Sequence, residues 1–172
     1  MKVWTILDRP SKKEGYRSRA SYKLKEIITT DISIKKGQSV FDLGSYPGGW
    51  SQVAIELVGS TGKVAAIDIQ EMKLQNCFFL HKSIEEIVES DFQEISEFLP
   101  FDLVLSDMAP NISGIRERDN ALMIGLVNST LSVIDNFLKI KGSVLIKVFQ
   151  GESLDYTRQA LKKRRLQIKS VL

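Results

Sequence analysis

A single cysteine, Cys77, and a single histidine, His81, occur among the 172 residues. One cysteine excludes an internal disulfide and fits a reducing compartment. Those two side chains alone cannot build a structural zinc site, so no structural metal is expected. There is no run of about 18 apolar residues, which excludes a membrane-spanning helix. The start, MKVWTILDRP, lacks the apolar stretch and small-residue cleavage site of a secretion signal. Internal repeats, low-complexity tracts and Pro/Gly/Ser linkers are missing too. The sequence therefore predicts one domain over residues 1–172, with a basic segment and helix over 1–25 and a sheet core over 37–172. A soluble monomer of a bacterial cytoplasm or organelle matrix is expected.

What is present is enough apolar content, 43%, for one core, and an uneven charge. Net charge is only +3, yet residues 1–25 carry eight Lys/Arg against Asp8 and Glu14, and residues 156–172 carry six Lys/Arg and no acid. The middle compensates, with seven acids and no base between Glu85 and Asp102. Two basic ends around an acidic middle suggest a polyanion footprint. Solvated faces would produce the same pattern, so charge alone leaves both readings open.

Strand and helix patterns alternate along the chain. Strands are predicted over Gln38 to Leu43, Lys63 to Ile67, Cys77 to Leu80, Phe101 to Ser106 and Gly142 to Phe149, with a last candidate over Leu166 to Leu172. Helices are predicted from Ser18 to Ile28 with Ser18 as N-cap, and from Trp50 to Val58 closed by Gly59. Another opens at Ser83, where Glu86 has capping-box spacing. Two more run over Asn120 to Leu138 and Leu154 to Arg164. Such alternation implies an α/β fold: a mostly parallel, doubly wound, Rossmann-like sheet with helices on both faces. Stretches such as VFDL, VAAI and DLVLS are apolar on both sides, as doubly covered strands should be. In such sheets ligands bind beyond the carboxyl ends of the strands.

Four strand ends then hold the interest. The first, FDLGSYPGGW, does not fit the dinucleotide pattern G-x-G-x-x-G. Gly44 can make the tight turn, but Tyr46 stands where bare backbone should approach a pyrophosphate, and Pro47 removes an N–H. The glycines come late, at Gly48 and Gly49, just before Trp50. Asp68 ends the next strand, 24 residues after Gly44, placed to accept hydrogen bonds from ribose hydroxyls. A purely structural turn is the competing reading. Together the loop and its acid point to an adenosyl ligand without pyrophosphate, S-adenosyl-L-methionine being the obvious candidate.

The other two ends carry charge. Asp107 follows an apolar strand, as a loop cap or a functional acid. Lys147 lies within the apolar run LIKVF, where lysine rarely belongs unless paired. An acid and a lysine on adjacent strand ends form a functional-site candidate. Near the N-terminus, YRSRASYKL interleaves basic and aromatic residues, with Arg19 and Lys23 four apart on one helical face. That mixture suits phosphate contact and base stacking, with Arg17, Arg19 and Tyr22 as candidates. A solvated amphipathic helix is the alternative.

With those segments in order, YRSRASYKL, FDLGSYPGGWSQ, AIDIQEM, LSDMAPNISG and IKVFQGE, the chain from about Gly15 to Leu172 resembles the FtsJ/RrmJ family of ribosomal RNA ribose 2′-O-methyltransferases. The resemblance implies a methyltransferase fold and a methyl donor, S-adenosyl-L-methionine, held by the residues at Gly48, Trp50, Asp68 and Asp107. Lys23, Asp107 and Lys147 match three of the family's four catalytic residues, with Lys147 as general base. A lysine can take the hydroxyl proton only as the neutral amine, so its surroundings must disfavour the ammonium. The sulfonium methyl is already activated and requires no metal. The implied substrate is RNA, in the first place a uridine of large-subunit ribosomal RNA, with Arg17, Arg19, Lys162, Lys163, Arg164 and Arg165 on its phosphates. Transfer RNA, a cap, or a non-catalytic RNA-binding role are the alternatives. Two departures stand out. Ser83 replaces the acid that the family commonly uses at the adenine end, and the fourth catalytic residue, a glutamate, with the last strand, is expected beyond Leu172.

Overall fold

The computed structural model describes residues 17–18, 20–30 and 32–164. Arg19, Arg165, the first 16 residues and the strand candidate Leu166 to Leu172 lie outside them. Five strands form one parallel sheet: β1 (Ser39–Leu43), β2 (Lys63–Asp68), β3 (Phe78–His81), β4 (Phe101–Ser106) and β5 (Leu138–Ile146). Their order is β3-β2-β1-β4-β5, so the chain reverses its direction of winding between β1 and β4. In this topology a crevice opens at the carboxyl end of those two strands.

Alternation of side chains across β1 divides the core in two. Phe41 and Leu43 face a cluster with Ile67, Val104, Val144 and Ile146, covered by α4 (Arg116–Phe137) and α5 (Glu152–Lys163). Val40 faces the opposite cluster, with Val64, Leu103 and Leu145, covered by α1 (Ala20–Thr30) and α2 (Gly49–Val58) through Leu24, Ile27, Trp50, Val53 and Ala54. Phe41 stacks on Phe101 of the neighbouring strand at 4.8 Å between ring centres, fixing that register. Asp42, between Phe41 and Leu43, points into the second cluster and is fully buried.

Several boundaries differ from the sequence reading. Regular helix α1 starts at Ala20 rather than Ser18, although the Ser18 carbonyl accepts from the Ser21 N–H at 3.3 Å. Ser83 caps only a single 3-10 turn, Ile84–Glu86, its hydroxyl accepting from the Glu85 N–H; the short helix α3 (Glu89–Glu94) begins separately. There the Asp91 carboxylate accepts from the Val88 N–H and from Lys82, so the acid that matters sits five residues beyond the expected capping glutamate. Helix α4 starts four residues before Asn120, its first turn carrying Glu117 and Asp119, which suit the positive end of the helix dipole. Strand β5 begins at Leu138 instead of Gly142 and stops at Ile146, leaving Lys147 as the first residue beyond the ladder. Lys139 to Lys141, unassigned in the sequence, form an irregular, solvent-facing start to the strand.

Candidate active site

The ladders continue a residue or two past the strands and pin three loops side by side. The Gly44 and Ser45 N–H groups donate to the Ile67 carbonyl at 3.0 and 3.2 Å. The Asp107 N–H donates to Leu43 at 3.2 Å, and the Lys147 N–H to Ser106 at 2.9 Å. These bonds bring the carboxyl ends of β1, β2, β4 and β5 to one level. Between the first three lies a cleft of about 570 Å³, within the range of small-molecule sites. Gly44, Asp68, Ser83 and Asp107 line it, as do Tyr46, Lys82 and Arg118.

Asp68 is the anchor of that cleft. One of its oxygens accepts from the Tyr46 N–H and the other from the Gln70 N–H, both at 2.8 Å. The carboxylate therefore ties the glycine loop to the loop after β2, while each oxygen keeps capacity for a further hydrogen bond. Gly44 is needed where it stands: its φ is +73, and a Cβ there would lie 2.5 Å from Met108 Cγ. The crowding closes the floor of the cleft without an anion nest, which agrees with an adenosyl ligand lacking a pyrophosphate.

Gly48, Gly49 and Trp50 are turned elsewhere. Trp50 is buried and donates its indole N–H to the Ala20 carbonyl at 2.9 Å. A Cβ on Gly49 would collide with the Ser18 and Ser21 hydroxyls, and one on Gly48 would lie 2.7 Å from Met72 Sδ. These three residues seat the start of α1 against α2. Arg17 completes the seam by donating to the Pro47 carbonyl at 3.3 Å and the Lys73 carbonyl at 2.6 Å.

Asp107 joins the cleft to the lysine. Its carboxylate accepts from the Lys147 ammonium at 2.6 Å, and both side chains are half-buried. Burial pushes the Asp107 carboxyl above its usual range, with Lys147 pulling the other way. Lys23 lies in the first turns of α1 and pairs with Glu26 at 3.3 Å, not with Asp107. Tyr22 is half-buried beside it. The basic cluster at the other end is remote from this pair. Arg164 is locked in a two-pronged pair with Asp135, at 2.6 and 2.7 Å, and Lys162 and Lys163 are exposed at the end of α5.

A residue that the sequence reading passed over is Asp42. Burial pushes its carboxyl up to about 7, aided by the negative charges of Asp107 and Asp68, while the Ser51 hydroxyl donates to it at 2.6 Å. Its second oxygen has no partner among the described residues. An acid in the middle of an otherwise apolar strand was the available signal.

Residues 16–171 match the model of the FtsJ-like methyltransferase family. Curated relatives agree: a ribosomal RNA large subunit methyltransferase E from Stenotrophomonas maltophilia is 48% identical over 144 residues, covering 83% of this chain and 69% of the relative. The chain belongs to the FtsJ-like methyltransferase family. The same-named protein of Nitrosospira multiformis is 43% identical over 156 residues, 90% of this chain and 76% of the relative. Among solved structures, a ribosomal RNA methyltransferase from Plasmodium falciparum superposes with a TM-score of 0.79 at 29% identity over 86% of each chain. Aeropyrum pernix fibrillarin in complex with S-adenosyl-L-methionine shares the fold only, with a TM-score of 0.54 at 15% identity over 87% of this chain and 65% of that one. Membership of the FtsJ-like family accounts for the Rossmann-like sheet and for methyl transfer as the chemistry.

Proposed function

We propose that this protein methylates a ribose 2′-hydroxyl of RNA, in large-subunit ribosomal RNA, with S-adenosyl-L-methionine as methyl donor. The observation that carries the reading is the 2.6 Å Lys147–Asp107 pair at the wall of a cleft suited to an adenosyl group. The names of the curated relatives support the RNA substrate. Asp68 would accept from the ribose hydroxyls of the cofactor, and Gly44, Ser83 and the backbone around Met108 would line its remaining surface. When bound, S-adenosyl-L-methionine supplies a methyl group on a positively charged sulfur.

The protein's own work is to hold the acceptor hydroxyl in line and to take its proton. As the base, Lys147 would receive that proton on Nζ, which requires the neutral amine. Asp107 then faces a newly formed ammonium, which it stabilises at the moment charge appears. Its half-buried carboxylate also fixes the direction of the lysine, so the amine is aimed before the acceptor arrives. Lys23 adds positive charge along the approach of the RNA, and Tyr22 and Arg17 flank that approach. The described residues act as one domain, with α1 as the RNA-side element.

Lys147→Ala is expected to leave cofactor affinity unchanged by calorimetry while lowering single-turnover methylation about 100-fold or more, the usual size of a lost general base. Transfer of labelled methyl to ribosomal RNA, with the modified nucleotide mapped, reads the outcome. Unchanged turnover removes Lys147 as the base, and label on a base nitrogen or carbon removes the ribose reading.

A further inference from the structure

We infer that the pole opposite the active site is a second RNA-contact surface, built by Lys35, Lys36 and Lys141 together with Lys162 and Lys163. The inference rests on the RNA reading above. In a parallel sheet every strand starts at the same end, and here that end gathers lysine. Lys35 and Lys36 form the turn before β1, held against the end of α2 by the Gly37 N–H donating to the Val58 carbonyl at 2.9 Å. Lys141 lies in the irregular start of β5, beside a shallow cavity shared with Ser33, Gln38 and Asp102. Helix α5 runs back from Gly151, next to the catalytic lysine, and over 12 residues carries Lys162 and Lys163 roughly 17 Å away. Arg164 then meets Asp135 near the end of α4, just before β5 begins.

Pairing separates structural cations from available ones. Lys63 is bound to Glu97, Lys139 to Asp102 and Arg164 to Asp135. These contacts engage Glu97, Asp102 and Asp135. Lys35, Lys36, Lys141, Lys162 and Lys163 are exposed and make no ion pair among the described residues. Lys141 is also held at φ +68, a conformation uncommon for a side-chain-bearing residue, with Ile140 beside it 90% exposed. The Lys141 side chain is left exposed there.

Compact, exposed ammonium charges spread over one pole suit the repeating phosphates of an RNA backbone. A membrane surface would call for several apolar anchors, and Ile140 stands alone there among the described residues. Because this pole lies a helix length from Lys147, its phosphates belong to RNA well removed from the target nucleotide. Only an RNA long enough to pass along the side of the molecule can touch both.

The test is the triple variant Lys35→Gln, Lys36→Gln, Lys141→Gln, with thermal melting to confirm its fold. Two RNAs are compared, a target-bearing hairpin of a few base pairs and a full ribosomal RNA domain. For the long RNA, affinity should fall about tenfold near 0.15 M salt, and the slope of log K against log salt should shrink by roughly 0.7–0.9 per lost contact. Turnover on the short hairpin should not change. Unaltered affinity and slope for the long RNA would overturn the surface, as would equal losses on both RNAs. Loss of binding to phosphatidylglycerol vesicles with RNA binding intact would assign the pole to a membrane and also overturn it. If the wild-type protein methylates no ribose, the catalytic reading falls, while the affinity and slope still judge the surface.

Discussion

At the scale of single residues, Asp68 ties two loops together, and the proposed function adds a second role, the cofactor ribose. Both of its oxygens are already engaged, by the Tyr46 and Gln70 N–H groups at 2.8 Å. Asparagine keeps the shape but replaces one acceptor by a donor, so one of those N–H groups faces another N–H. A hydrogen bond to a charged group contributes about 1.5–3 kcal/mol, so Asp68→Asn should weaken S-adenosyl-L-methionine binding by roughly 10- to 100-fold. Calorimetric titration of folded variant reads it, and an unchanged Kd would mean that the cofactor ribose does not lean on Asp68. This acid was legible in the sequence because it closes an apolar strand at a fixed distance from a glycine turn. Asp107 and Lys147 were legible for a related reason: charge at the end of an apolar run demands a partner. Asp42 shows in the sequence only as an acid inside an apolar strand; that its second oxygen has no partner among the described residues depends on the facing helix, which supplies Ser51 to the first.

At the scale of elements, the late glycines of FDLGSYPGGW pair two helices. Trp50 donates to the Ala20 carbonyl, and Gly49 leaves no room for a Cβ beside the Ser18 and Ser21 hydroxyls. Alanine suits a helix better than glycine, so propensity alone would make Gly49→Ala stabilising. Overpacking against two short side chains should win, costing about 1–3 kcal/mol. Chemical denaturation should show that loss, and adding Ser18→Gly should recover part of it. A variant more stable than wild type would mean that the seam gives way easily. Element types read well from the sequence because strands buried on both faces and amphipathic helices differ in period. The starts of α4 and β5 did not, and for one reason. Each begins with a charged stretch, Arg116 to Asp119 and Lys139 to Lys141, whose structure is set by tertiary contacts. Asp119 shows this directly: its carboxylate accepts from the Ser113 and Gly114 N–H groups at 2.8 and 3.1 Å, folding the loop after β4 onto the helix.

At the scale of the whole molecule, the sheet keeps two groups of charge apart: Asp68, Asp107 and Lys147 at one pole, and lysines with no ion pair among the described residues at the other. The two apolar layers between them make this separation rigid, and they also enclose Asp42. That burial gives global stability a pH dependence of defined sign. In the folded protein the Asp42 carboxyl titrates at about 7, whereas an unfolded chain holds an aspartate near 3.8. Between those values the folded state binds the extra proton, so stability falls as pH rises from about 4 through about 7 and then levels off. A tenfold difference in proton affinity is worth about 1.4 kcal/mol, so the loss is on the order of a few kcal/mol. Asp42→Asn cannot ionise and should remove this component. Melting curves at intervals from pH 5 to pH 8 should slope downward more steeply for the wild type than for the variant, whatever the absolute difference in Tm. Since Asp107 and Asp68 contribute to raising Asp42, Asp107→Asn should also flatten the wild-type slope, though less. Parallel profiles for wild type and Asp42→Asn would show that Asp42 enters the folded state already charged, with water or another donor serving its second oxygen.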